Sequence, residues 1–274
     1  SRRAVAAATA GETRWVRPPL PWRPSKFLFD DDAQRSPGES VSGFMPRHIE
    51  HPLSRHSNPA AVKIRWDGDR TKVDVDIPGD IAKAKAVRKL LGDDFVNGFD
   101  ANNGNSVGGA MRVGRALEDL GYTWFEEPVQ HYHVKAMGEV AQRLDILVSA
   151  GEQTYTLQGV KDLIEAGVRM VQPDIVKMGG ITGLMQCAAL AHAHGVELVP
   201  HQTQPSIGHL ANIHVLSTLM HLSKPAELAD GWERASSVFT PNPAEPKNGR
   251  FKVPTALGLG YVFDESEMAR RQIA

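Results

Sequence analysis

Three carboxylates stand at even intervals along the middle of the chain: Asp100 closing FVNGFD, Glu126 in YTWFEEP and Glu152 closing ILVSAGE. The two gaps are 26 residues each, and each holds a turn, a helix-patterned stretch and the next apolar segment. A βα unit of this length that repeats an acid at the strand end gathers those acids at one rim of a (β/α) barrel. Three anions at one rim repel one another unless a cation neutralises them. Oxygen-only donors suit a hard ion, which points to Mg²⁺ ahead of zinc. Glu127 is the less favoured of its pair, because neighbouring strand residues face opposite sides. Asn102 shares the face of Asp100 and could orient a ligand or simply close a turn.

The remaining strand ends carry further chemistry. Asp174 closes VRMVQPD and His201 closes VELVPH. A carboxylate beside an imidazole fixes its tautomer and raises its basicity, so this pair reads as a general base. Lys63 and Arg65 lie two apart in AAVKIRW and share a face. Lys63 can act as acid, base or carboxylate-binding cation, whereas Arg65 stays protonated and can only clamp or stabilise negative charge. Glu227 in AELAD could hydrogen-bond a substrate if protonated, or be a plain surface acid. His131 and His133 could bind metal or substrate, but a loop-to-helix role is the simpler reading. His192, His194, His209, His214 and His221 fall within helical patterns and read as structural. Cys187, the single cysteine, lies in ITGLMQCAALAHA and reads as a buried, inert thiol.

These residues need a scaffold, and from residue 59 the chain supplies a regular one. The strand candidates are AAVKIRW, NGFDA, TWFEEP, ILVSAGE, VRMVQPD, VELVPH and the short AELAD, apolar on both faces as a helix-sheathed parallel sheet requires. Between them run helix patterns. DIAKAKAVRKLLG places Ile81, Ala84, Val87 and Leu91 on one stripe, with Asp80 as cap and Gly92 as stop. SVGGAMRVGRALEDLG has Ser106 as N-cap and Gly121 as terminator. HYHVKAMGEVAQRL, TLQGVKDLIEAG, ITGLMQCAALAHAHG and SIGHLANIHVLSTLMHL follow. The first strand must come from upstream, with KFLF as the candidate, and the tail after AELAD shows no clear eighth helix. Residues 1–58 are rich in Pro, Arg, Ser and Asp without a sustained period and read as irregular. The division is therefore an irregular segment 1–58 and a barrel domain 59–274 that includes a C-terminal tail. With no initiator Met, the chain reads as processed or partial.

Composition excludes some classes. With 31 basic and 32 acidic residues there is no electrostatic case for nucleic acid or an anionic membrane. No apolar run approaches the ~20 residues needed to span a bilayer. One cysteine allows no internal disulfide, so a cytoplasmic protein is expected.

Taken together, the elements VKIR, GFDANN, WFEEP, SAGE, QPDIVKMGGITG, VPHQTQ, AEL and LGLGYVFDE resemble the enolase superfamily, in particular its mandelate racemase subgroup. The resemblance runs from about Ala60 to about Glu265, some three quarters of the chain. It implies a (β/α)7β-like barrel, Mg²⁺ held by Asp100, Glu126 and Glu152, and an Asp174–His201 catalytic dyad. It places Lys63 and Arg65 on the paired basic motif, Glu227 on the electrophilic acid, and a small carboxylate in the site. The superfamily is itself a standard instance of a Lys or His base working with Mg²⁺ on an enediolate. Racemisation there uses bases on both faces of the substrate, and Arg65 in the second basic position favours dehydration of an acid sugar instead. A racemase or epimerase is the second reading, and a catalytically silent binding barrel the third. Relatives also carry an α+β capping domain of about a hundred residues, which residues 1–58 are too short to supply. A homo-oligomer is in keeping with the family.

Overall fold

Alternation along the strands divides the molecule into an inside and an outside. The computed structural model describes residues 25–28, 61–65, 71–202, 207–219, 222–228 and 250–270. Its strands are β1 (Ser25–Leu28), β2 (Ala61–Arg65), β3 (Val96–Asp100), β4 (Trp124–Glu126), β5 (Leu147–Ala150), β6 (Met170–Val171), β7 (Glu197–Leu198) and β8 (Glu227–Leu228). They form one sheet ordered β7-β6-β5-β4-β3-β2-β1-β8, with parallel pairing at each step. Helices α1 (Ile77–Leu91), α2 (Val107–Asp119), α3 (Val134–Arg143), α4 (Leu157–Ala166), α5 (Ile181–Ala193) and α6 (Ile207–Leu216) alternate with the strands, and α7 (Glu265–Arg270) lies in the tail.

The expected α/β barrel architecture is therefore present. The first strand is Ser25–Leu28, one residue upstream of the KFLF candidate and within the segment 1–58. It pairs with β2 on one side and β8 on the other. No backbone ladder joins β7 to β8 among the described residues. Instead the N–H of Gln202, just past β7, donates to Glu227 Oε2 at 2.7 Å.

The outward strand residues Val62, Ile64, Phe99, Phe125, Val148 and Val171 are fully buried against the helices, where Val87, Leu117, Met137 and Val160 meet them. Phe99 and Phe125 pack edge to face, with centroids 6.1 Å apart. Each such side chain contributes about 1.5–3 kcal/mol by leaving water. A separate inner cluster of Ala61, Trp124, Met170 and Val199 fills the lower barrel. In the sheet register Arg65, Asp100, Glu126 and Ser149 are successive partners across β2 to β5. They share the inner face above that plug, so the polar residues are raised toward the C-terminal rim.

Capping departs from expectation at α1. The helix starts at Ile77 rather than Ile81, and Asp76, not Asp80, is its cap, accepting from Gly79 N at 2.9 Å. Pro78 fits the first turn, where a missing N–H is harmless; Asp80 is buried inside the helix instead. Ser106 caps α2 as expected, and Gly167 ends α4 in the left-handed conformation. The tail packs back on α6: Phe251 joins Leu210 and Ile213, and His214 Nε2 donates to Leu259 O at 3.2 Å.

Arg88 binds the bottom of the barrel together. Its guanidinium donates to the carbonyls of Leu120, Gly92, Asp93, Phe95 and Gly121 at 2.7–3.2 Å, and to Asn97 Oδ1. It also lies 5.4 Å from the Tyr122 ring centroid. Replacing it with Leu strands the buried Asn97 amide, at ~1–3 kcal/mol, and five part-buried carbonyls that lose a charged donor at about 1 kcal/mol or less each. Arg88→Leu should lower the urea midpoint by the equivalent of at least about 3 kcal/mol, and Arg88→Lys should recover only part, since an ammonium cannot span the fork.

His209 gives a pH signature. It is buried edge-on against Phe251 at 4.7 Å, and burial pushes its pKa down to about 4. As pH falls below the ordinary value of 6.5, the unfolded chain takes up the proton first. Stability present above pH 6.5 is then lost down to about pH 4, by up to about 3 kcal/mol. Denaturant titrations of His209→Gln at pH 7 and pH 5 should show a smaller acid-induced loss than wild type.

Candidate functional site

The centre of the rim is a buried ammonium among carboxylates. Lys63, on the inner face of β2, is 1% exposed. Its Nζ contacts Glu126 Oε1 and lies 3.1 Å from Glu227 Oε1 and 3.7 Å from Asp100 Oδ2. Burial opposes the charge, but Glu126, Glu227 and Asp100 outweigh it and raise the Lys63 pKa far above its ordinary value. Burial raises the pKa of Asp100, and Arg65, one pleat further along the same face, adds a second cation after Lys63 that offsets part of that rise.

Glu126 is held from three sides. Besides Lys63, it accepts from Gln172 Nε2 at 2.9 Å and from Trp124 Nε1 at 3.4 Å. Trp124 sits two residues before Glu126 on the same face, and its indole lies across Gly98, where a Cβ would come within 2.1 Å of the ring. A left-handed φ of 38° at Glu127 breaks the strand alternation, and the side chain is buried. Burial raises its pKa well above the usual range, and Glu152, Asp100 and Glu126 raise it further. Its Oε2 accepts from Asn103 Nδ2. Asn103 also takes His131 N on its side-chain oxygen at 2.6 Å and Gln130 Nε2 on its carbonyl at 2.7 Å.

A second group adjoins the first. His201 Nδ1 meets Asp174 Oδ2 at 2.9 Å, and Nε2 stands 3.2 Å from Glu152 Oε2. Asp174 is fixed by the N–H groups of Val176 and Lys177 at 2.7 and 3.2 Å. Burial would raise Asp174, but His201 and these donors hold its pKa low. Burial would lower His201, but Glu227, Asp174 and Glu152 raise it to about 9. Glu152, Asp174 and His201 lie two or three residues beyond their strand ends rather than within them. Lys177 Nζ donates to the Glu152 carbonyl at 2.8 Å and steadies that exit. Asn102, also left-handed with φ 46°, is buried and donates its N–H to Asp100 Oδ1 at 2.8 Å.

The sequence-picked residues thus gather at one rim, in two touching groups. Gln172, Trp124 and Glu127 were not picked. Strand parity could have found the first two, since each lies two residues before a picked acid. His133 precedes α3 without a side-chain cap bond, and His131 packs edge-on to Tyr132 at 5.2 Å, as suits a loop-to-helix passage. His221 lies outside the described residues.

Among the described residues no three His, Cys, Asp or Glu side chains stand as a ready-made metal cage. The donor set nevertheless fits a hard divalent ion. Asp100, Glu126, Glu152 and Glu227 surround Lys63, and the buried Glu127 adds a fifth carboxyl beside three of them. Burial and neighbouring acids push Glu126 up to about 8 even against the ammonium, and burial likewise raises Asp100 and Glu227. The cluster carries more oxygen donors than its own cations neutralise, and they are the oxygens Mg²⁺ takes.

The family model described as enolase C-terminal domain-like matches residues 44–267. An arabinonate dehydratase of Saccharolobus solfataricus is 32% identical over 217 residues, covering 74% of this chain and 56% of that protein. An L-talarate/galactarate dehydratase of Salmonella typhimurium is 31% identical over 193 residues, covering 70% and 46%. The chain therefore spans about half the length of these curated relatives. A mandelate racemase/muconate lactonizing protein from Paracoccus denitrificans, solved complexed with magnesium, is 70% identical with a TM-score of 0.84. That match covers 94% of this chain and 67% of the neighbour.

Removing the central ammonium leaves buried acids facing one another. Lys63→Met should lose about 3–5 kcal/mol of stability in chelator-treated buffer. Adding Glu126→Gln should return part of it, read as a favourable coupling in a denaturant double-mutant cycle.

Proposed function

The chain belongs to the enolase C-terminal domain-like family, and from that premise we propose that it dehydrates an acid sugar. The observation that carries this reading is the Asp174–His201 pair, held at 2.9 Å beside the carboxylate–lysine cluster. It joins a proton carrier to a place for a carboxylate substrate and its developing charge. The dehydratase names of two relatives support the same class.

Asp100, Glu126 and Glu152 are the residues that would hold Mg²⁺, the ion present in the Paracoccus neighbour. When bound, the ion would neutralise the substrate carboxylate and lower the barrier to losing the α-proton. Lys63 and Arg65 clamp that carboxylate and face the charge that moves onto it. Glu227, raised by burial, donates a hydrogen bond in its protonated form, and Asn102 orients the α-substituent. His201 Nε2, opposite the nitrogen tied to Asp174, takes the α-proton, and the C–H electron pair becomes the enediolate. The C–O bond to the β-hydroxyl then breaks, the same imidazolium returns its proton, and water leaves. The enol tautomerises to a 2-keto-3-deoxy acid.

A racemase or epimerase is the second reading, favoured by the name of the Paracoccus neighbour. Against it, Lys63 is surrounded by three carboxylates that keep it protonated, which suits a binding cation better than an opposing base. No helix among the described residues is long and apolar enough to cross a membrane.

Mass spectrometry of pooled aldonates and aldarates in D₂O with Mg²⁺ tests this reading. Loss of water from one substrate is expected, and His201→Asn should slow it by roughly 10²–10⁴. Deuterium gain without water loss would move the assignment to racemase or epimerase, and no turnover of any substrate would favour a silent barrel.

A further inference from the structure

The two adjacent acids of WFEEP differ in what surrounds them. Both oxygens of Glu126 are taken, Oε1 by Lys63 and Oε2 by Gln172 and Trp124. Glu127 is 1% exposed. Its Oε2 is held by Asn103, but its Oε1 has no hydrogen-bond partner among the described residues. A buried carboxylate oxygen left without a donor is destabilising. The backbone adds to this, because a non-glycine residue at φ 38° is uncommon and persists only where its surroundings over-determine it. The surroundings here do so. The N–H of Glu127 donates to Ser149 O and its carbonyl accepts from Asn103 N, both at 2.9 Å. Strand and loop together thus hold an unsatisfied acid in a buried position beside Glu152, Asp100 and Glu126.

We propose that Glu127 is a fourth carboxylate of the divalent-cation site, with Oε1 accepting from the hydration shell of the ion. Mg²⁺ sheds its waters reluctantly and keeps several when protein-bound. Each such water is a donor made stronger by the charge behind it, which is what Oε1 lacks. Asn103 is the positioning residue. By holding Oε2 and bracing the 130–131 loop, it leaves Oε1 directed at the site. The inference rests on the reading of Asp100, Glu126 and Glu152 as the ion's ligands.

Calorimetric titration of the full chain with MgCl₂ tests it, alongside melting in chelator. Glu127→Gln should weaken Mg²⁺ binding by about 10–100-fold, as the loss of a residue orienting a metal's ligands typically does. Its metal-free melting temperature should be no lower than wild type, since an uncompensated acid has been removed. A merely structural glutamate would behave oppositely, lowering the metal-free melting point while leaving the affinity alone. Should Glu127→Gln fail to fold, Glu127→Asp, which keeps the charge but shortens the arm, must show the same weakening. Wild-type affinity in a folded Glu127 variant, with affinity lost in Glu126→Gln, overturns the inference and leaves the three-ligand reading standing. Equal, negligible binding by wild type and Glu126→Gln overturns both.

Discussion

The buried contact between the Lys63 ammonium and Glu126, with Glu227 and Asp100 close by, is the interaction on which the rest of the site depends. A charge so deeply placed must be paired, and so must the acids around it. This explains what lies below and beside them. Trp124 and Gln172 spend their polar ends on Glu126, and the glycine at 98 makes room for the indole. The barrel's inner plug and its polar rim meet at these three residues, so packing below sets the aim of the acids above.

The same cluster governs the dyad. His201 is shared between Asp174 and Glu152, and its proton affinity follows from the anions on both sides. Glu152 therefore stands between the two groups, one carboxylate facing the imidazole and belonging by charge to the lysine cluster. The proposed dehydration, which begins with a proton on carbon and ends with charge on a carboxylate, needs such a junction between base and charge sink.

Most of this was legible before any coordinates, because the barrel converts sequence spacing into direction. The 26-residue interval and the two-residue parity of a strand place Asp100 and Glu126 on one face, and the same logic places Lys63 with Arg65. What stayed hidden depends on backbone angles and on long-range partners. Nothing in the letters EE announces that the second glutamate adopts a left-handed φ, which interrupts the regular alternation of the strand. Asp80 looked like a cap because the apolar stripe begins there; Pro78 moved the true start upstream to Asp76. Arg88 carries no signal in the sequence, since its acceptors are mostly backbone carbonyls, which leave no trace in residue identity.

The hydrogen bond from Gln202 to Glu227 acquires a further meaning from its place in the sheet. It bridges the exit of β7 and the start of β8, where the described strands share no backbone ladder. One oxygen of Glu227 thus serves as a clasp on the hoop while the other faces Lys63. A single side chain has two duties, one toward the buried ammonium and one in the wall that contains it. Any substitution at position 227 would therefore loosen the wall and unbalance the ammonium in one step.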